Sequence, residues 1–290
     1  MKISDQDFHN LKYPSFLEEE LGFVEPEDAL FHILPVPYEK TVSYGGGTGK
    51  GPSKILEASS QLELFTGFSE PYKKGIHTLQ PVFAEDSNIL LEMMDNSISK
   101  ILKSSKIPVI IGGEHTVSTG AFNCFAKNKK NIGIVQIDAH ADLRESYEGS
   151  KHSHACVMKR ALDLNFEIFQ IGVRSLCKEE FELRKNKKID YLDAYDLYLN
   201  KIPEKILPDN FPDEIYLTID VDGFDPCVIP ATGTPEPGGL MWYDALKIIK
   251  KLSIERKIAG FDVVELAPAE NIQYPEFTCA KLIYEIMGFI

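Results

Sequence analysis

In "IDAHAD" (137–142), Asp138, His140 and Asp142 stand at alternate positions, and a chain that stays extended turns alternate side chains to the same side. Asp220 and Asp222 repeat that spacing in "IDVDGFDP" (219–226), and His115 follows the glycine pair of "GGEHTVS" (112–118). Four carboxylates brought to one point repel one another and stay partly protonated unless cations neutralise them. Two divalent ions balance four negative charges. The donors are oxygen and imidazole only, a set that suits Mn²⁺ better than four-coordinate zinc, with Zn²⁺, Ni²⁺ and Co²⁺ as competitors on raw affinity. Two such ions held some ~3.5 to 4 Å apart can share one water and lower its pKa, so the expected chemistry is metal-assisted hydrolysis. A calcium-loop reading of "DVDGFD" fails, because the sixth and twelfth loop positions are Asp225 and Ala231 where Gly and Glu are needed.

These residues need elements that bring them to one place. Short apolar runs at 30–38, 107–112, 132–140, 166–173, 214–222 and 258–266 alternate with segments of helical period at 52–63, 88–105, 115–127, 241–255 and 276–289. That alternation predicts an α/β fold, a three-layer α/β/α sandwich with a central, mostly parallel sheet. No repeat or linker divides the chain, so residues 1–290 read as one domain, with 1–29 as an N-terminal extension packing on it. In such sheets ligands bind beyond the carboxyl ends of the strands, and four of the predicted strands end in the acids and histidines named above or in "VVELAP" (263–268).

Composition narrows the partners. The 290 residues carry a formal net charge of -13 and are 43% hydrophobic, enough apolar material for a sizeable core. The acidity argues against nucleic acid or an anionic membrane as partner and favours a small cationic substrate. Five widely spaced cysteines without a CxxC pair suggest reduced thiols, no apolar run reaches the length of a membrane helix, and a cytoplasmic location is expected. The glycine-rich "SYGGGTGKGPSKI" (43–55) fails the phosphate-loop pattern, because Tyr44 stands where the first Gly belongs and Gly51 where Ser or Thr belongs. It reads instead as a loop at the mouth of the metal site or at a subunit contact, with Pro52 opening the next helix.

"IVQIDAHAD" (134–142) and "TIDVDGFDPCVIPATGTPEPGG" (218–239) resemble the two signatures of the ureohydrolases, the arginase and agmatinase family. "GGEHTVS" and "VVELAP" resemble two further motifs of that family, and the resemblance spans residues 30–290. It implies that His115, Asp138, Asp142 and Asp220 hold one manganese ion, and that His140, Asp138, Asp220 and Asp222 hold the other. It assigns His154 as the histidine that passes a proton to the leaving amine, with His152 as its rival two residues away. Glu265 aligns with the glutamate that pairs with the guanidinium of the substrate. Thr234 is expected to add a polar contact there, and Glu114 stands where the family more usually has Asp. The family also implies a homo-trimer or homo-hexamer.

The activity implied is manganese-dependent hydrolysis of a guanidinium compound to urea and an amine. Residues 144–160, "RESYEGSKHSHACVMKR", resemble the agmatinase form of the substrate loop, in which Glu145 and Glu148 face a cationic tail. Agmatine, giving putrescine and urea, is therefore the expected substrate. Arginine, guanidinobutyrate and formiminoglutamate remain alternatives, since Lys151, Lys159 or Arg160 could meet a carboxylate. A non-catalytic metal-binding relative and a dinuclear metal phosphatase are the readings from other classes. The absence of a basic phosphate clamp speaks against the phosphatase.

Overall fold

The computed structural model describes residues 8–128 and 131–290. Eight strands form one sheet: β1 (Phe31–Val36), β2 (Ile76–Thr78), β3 (Ile107–Gly112), β4 (Ile132–Ile137), β5 (Ile168–Ile171), β6 (Asp190–Leu192), β7 (Glu214–Asp220) and β8 (Lys257–Val264). Their order across the sheet is β2-β1-β3-β8-β7-β4-β5-β6, and every pairing is parallel. Parallel strands need crossovers, and the helices supply them on both faces, which gives the expected α/β/α layering.

The strands alternate their apolar side chains between two cores. Val109, Ile111, Val135, Ile137, Leu217, Ile219, Phe261 and Val263 pack into one, against the helices Gly51–Ser59, Trp242–Glu255 and Tyr274–Phe289. Ile110, Ile134, Tyr216 and Val264 face the other, against Ser87–Lys103, Ser118–Lys127 and Val157–Asp163. Because both faces are covered, the strand interiors are nearly free of solvent, and any polar residue there must find a partner.

All six strands and all five helices expected from periodicity are present, within a few residues at their ends. Two strands and three longer helices lay below the reach of that reading. Edge strands β2 and β6 have three residues each, and Lys178–Lys187 buries only Glu180 and Arg184, so it has no apolar stripe to detect. Phe16 and Leu17, from the N-terminal segment, are buried in the first core, while residues 1–7 of the expected extension lie outside the described residues. Among the described residues, no helix is long and apolar enough to cross a membrane.

Adjacent strands β3, β8, β7 and β4 each end in a segment that carries the predicted site residues. The tight turns there demand glycine: a side chain at Gly113 would strike the Tyr38 carbonyl, and one at Gly223 would strike the backbone of Asp138.

Candidate metal centre

Beyond β4, Asp138 Oδ1 accepts the N–H of His140 at 2.6 Å and Oδ2 accepts Gln136 Nε2 at 2.7 Å, so both oxygens are oriented before any ligand arrives. Asp142 takes a left-handed φ of 51°, held by its carbonyl, which accepts the N–H groups of Met158 and Lys159 at the start of a helix. Beyond β7, Asp220 Oδ1 accepts Asp222 N–H, and Asp222 Oδ1 accepts Ala139 N–H at 3.0 Å, which ties the two strand ends together. Arg174 clamps the same segment from below, donating to the carbonyls of Asp222, Phe224 and Glu236.

The side chains converge. His115, Asp138 and Asp220 offer ligand atoms within 4.8 Å of one another, and so do Asp138, His140 and Asp222, with Asp138 common to both groups. His115 Nδ1 lies 3.0 Å from Asp142 Oδ2, 3.2 Å from Asp138 Oδ2 and 3.5 Å from Asp220 Oδ2. His140 Nδ1 lies 3.0 Å from Asp222 Oδ2 and 3.6 Å from Asp138 Oδ1.

The protonation of His115 decides what that cluster suits. Thr218 donates its hydroxyl hydrogen to Asp262 Oδ1 at 2.7 Å, so its oxygen accepts from His115 Nε2 at 2.9 Å. A neutral His115 then carries its proton on Nε2 and turns a bare Nδ1 lone pair toward three carboxylate oxygens. Burial opposes protonation of His115, yet its hydrogen bonds with Asp138 and Asp142 raise it well above the ordinary imidazole range, so without a metal a proton on Nδ1 stands where a cation would. Lone pairs gathered in this way are stable only around a cation, and the donor set of imidazole and carboxylate fits a divalent metal.

The electrostatics agree. Burial, with the charge of Asp138 beside it, pushes Asp142 up to about 7. Burial and the neighbouring Asp222, Asp138 and Glu265 raise Asp220 well above the ordinary carboxylate range. Burial opposes protonation of His140, yet its contacts with Asp138 and Asp222 push it up to about 12. Without a metal the site draws in protons, which is how a cation site behaves when only protons are on offer.

A cavity of about 370 Å³ opens onto these residues, lined also by Ser43, Arg144, Tyr147, His154, Glu180, Thr234 and Glu265. Glu265 is buried at a φ of 66° and accepts the N–H of His115 on Oε1 at 2.6 Å. Thr234 donates to Asp222 Oδ2 at 3.2 Å. His154 lines the cavity, and burial lowers it to about 4, so it is neutral near pH 7. His152 does not line the cavity; its backbone carbonyl holds Thr116, and its buried Nδ1 has no hydrogen-bond partner among the described residues.

The two loop glutamates are not in the cavity lining. Glu148 is exposed at a left-handed φ of 48°, and Glu145 is engaged by Lys159 at 2.9 Å, Lys151 at 3.2 Å and Arg160 at 3.6 Å. The same ion cluster engages the three cations considered for a substrate carboxylate. The charged groups in the wall instead are Arg144 and Glu180, which sequence reasoning missed. Glu180 accepts the N–H groups of Leu143 and Cys177, and Arg144 Nε sits 3.9 Å from it.

A buried polar chain behind Asp138 was missed as well. Arg184, paired with Asp193, donates to Gln170 Oε1 at 2.9 Å, Gln170 Nε2 donates to Gln136 Oε1, and Gln136 donates to Asp138. Gln136 and Gln170 are register partners on β4 and β5. A Gln136→Leu variant should bind manganese ~10- to 100-fold more weakly, the usual cost of losing a group that orients a ligand. Equilibrium dialysis checks this, and an unchanged dissociation constant removes Gln136 from that role.

The glycine loop settles against the mouth. Glu39 receives the N–H groups of Gly47 and Gly49 at 2.9 and 2.8 Å, so the anion nest that a phosphate would occupy is filled by the chain's own carboxylate. Gly45 packs on Gly233 so closely that a side chain would strike the Gly233 carbonyl, and Ser43 reaches the cavity.

Residues 29–288 match the model of the arginase family. The chain belongs to the arginase family. It is a ureohydrolase, a hydrolase acting on C–N bonds, from a family built around a binuclear metal centre. It is 39% identical to the N(1)-aminopropylagmatine ureohydrolase of Synechocystis sp., over 94% of this chain and 93% of that protein. It is 32% identical to the agmatinase of Pyrococcus horikoshii, covering 95% and 97% respectively. Among solved structures, the agmatine ureohydrolase of Thermoplasma volcanium superposes with a TM-score of 0.85 at 30% identity, covering 99% of this chain and 97% of the other.

Proposed function

We propose that this ureohydrolase cleaves the terminal guanidinium of a linear amine with a cationic tail, agmatine or its N(1)-aminopropyl form, releasing urea and the amine. The observation that carries the reading is the convergence of His115 Nδ1 on three carboxylate oxygens within 3.5 Å, two of them from Asp142 and Asp220, which line a cavity together with Glu265 and His154. His115, Asp138, Asp142 and Asp220 would hold one manganese ion, and His140, Asp138, Asp220 and Asp222 the other. When bound, the ions make water acidic enough to serve as the nucleophile near neutral pH.

The chain's own residues do the rest. Glu265 gives Oε1 to His115, which leaves Oε2 to receive the N–H donors of the guanidinium. Its burial among other acids makes a cationic partner welcome there. Thr234 holds Asp222 at the rim. His154, neutral and beside the same cavity, takes a proton from the attacking water and gives it to the leaving nitrogen.

The names of the relatives favour a tail that is an amine rather than an α-carboxylate, and the one at 39% identity favours the longer, aminopropyl tail. Arg144 in the wall is already beside the Glu180 carboxylate and over the Tyr147 ring, which supports the same choice. Urea release should be followed with manganese on agmatine, N(1)-aminopropylagmatine, arginine and guanidinobutyrate, with formamide release scored for formiminoglutamate. The two amine-tailed substrates should exceed the carboxylated ones by at least ~100-fold in kcat/KM, about 3 kcal/mol of discrimination. A carboxylated substrate in first place would overturn the assignment.

A further inference from the structure

Thr41 makes four hydrogen bonds that together determine which nitrogen of His154 faces the substrate. Its backbone N–H donates to Glu114 Oε2 at 2.6 Å, alongside that of Lys40 at 2.7 Å, and its hydroxyl donates to Glu114 Oε1 at 3.0 Å. Burial pushes Glu114 above the ordinary carboxylate range, and the three donors on its oxygens, two of them backbone N–H groups that cannot accept in return, act against that and suit its ionised form. A hydroxyl has one hydrogen and two acceptor positions. With the hydrogen committed to Glu114, Thr41 Oγ1 can only accept from its other neighbours. Those neighbours are the backbone N–H of His154 at 3.1 Å and His154 Nδ1, also at 3.1 Å.

We infer that Glu114 and Thr41 act as a positioning pair that fixes His154 as its Nδ1–H tautomer and so turns the unprotonated Nε2 toward the cavity. A neutral imidazole has one N–H, and which ring nitrogen bears it decides whether the face toward the substrate is a base or a donor. Nε2 can then take a proton from the attacking water and return it to the amine nitrogen as the C–N bond breaks, while Nδ1–H stays on Thr41 throughout. Guanidine plus water thus becomes urea plus amine with no proton gained or lost by the protein. The pair also explains why the turn after β3 carries an acid at position 114. Ser153 Oγ stands 3.4 Å from the same Nδ1, a longer contact, and is the competing partner.

The catalytic consequence rests on the proposed hydrolysis, but the tautomer itself does not. The ¹⁵N shifts of the His154 ring should therefore be measured on full-length, ¹⁵N-histidine-labelled protein without paramagnetic metal, assigned with His154→Gln. The expected result is a pyrrole-type Nδ1 and a pyridine-type Nε2. Thr41→Val should shift His154 toward the other tautomer and lower kcat ~10- to 100-fold, within the range a well-placed acid–base group contributes, with KM and metal content within about twofold. Thr41→Ser should restore both the shifts and the rate, and Ser153→Ala should leave the tautomer unchanged. A pyridine-type Nδ1 in the unaltered protein overturns the inference, as does a Thr41→Val chain that keeps both tautomer and kcat. If the unaltered protein releases urea from no guanidine, the proposed function fails while the ring shifts still judge the tautomer.

Discussion

Asp138→Asn should leave the chain folded, unable to retain two ions, and slower in urea release by about 10³-fold, the scale of several kcal/mol of lost charge stabilisation. Asp138 is the residue common to both potential metal groups. Each of its oxygens already has a protein donor, the His140 N–H on one and Gln136 on the other, and each also faces a histidine. Asparagine keeps the volume and one acceptor, so the buried site stays filled. It replaces the second acceptor with an amide N–H₂ and removes the charge that both cations would share. Asp142→Asn provides the contrast. Asp142 lies against His115, 3.0 Å from its Nδ1, and belongs to neither three-residue group, so its loss should weaken one ion and cost about tenfold, one 1.36 kcal/mol step. Metal analysis after dialysis and urea assays at saturating manganese check both variants. Two retained ions and a rate within tenfold in Asp138→Asn would show that the shared position is not the bridge.

The contrast between these two aspartates was partly legible in sequence, and the reason is local. Alternate spacing in "DAHAD" says that Asp138, His140 and Asp142 can face one way, and a parallel sheet says that the ends of its strands lie together. Which oxygen meets which nitrogen depends on β4 lying next to β7, and β7 next to β8, an order that no short window contains. Gln136 and Gln170 did carry a signal: each is a polar residue inside a run otherwise apolar, "IGIVQI" and "IFQI", on strands covered from both faces. Such a residue must have a partner, and two of them at the same depth suggest each other. Thr41, Arg144 and Glu180 carried none, because their meaning comes from contacts 37 to 113 residues away or from a helix without an apolar stripe. Glu148 stands exposed at a left-handed φ, outside the cavity lining; charge is visible in a sequence and backbone direction is not.

Metal-free protein should lose stability as the pH rises from about 5 to about 8, and the stabilisation given by manganese should grow over the same range. An ordinary aspartate loses its proton near pH 4, but folded Asp142 holds its proton up to about 7. Between those values the unfolded chain binds fewer protons than the folded one, so the stability of the fold falls with rising pH. Asp220, Asp222 and Glu265, all raised by burial, act in the same direction. His140 continues the trend above its ordinary value, because its folded form holds a proton to about 12. Asp138 is the opposite case: burial opposes its ionisation, but its contacts with His115 and His140 hold it below the usual range. Its contribution is therefore lost only in acid, below this window. A divalent ion replaces the protons and reverses the slope. At a free concentration a thousandfold above its dissociation constant it adds about 4 kcal/mol. In a chain of this size that is a rise in Tm of roughly 7 °C. Calorimetry across the pH range, with manganese or with a chelator, measures both curves. Asp142→Asn, which cannot titrate, should flatten the metal-free slope, separating this site from the general repulsion expected of a chain with net charge -13. A metal-free Tm that rises with pH, or a manganese effect equal at both ends of the range, would mean that the buried acids are not the cation's site.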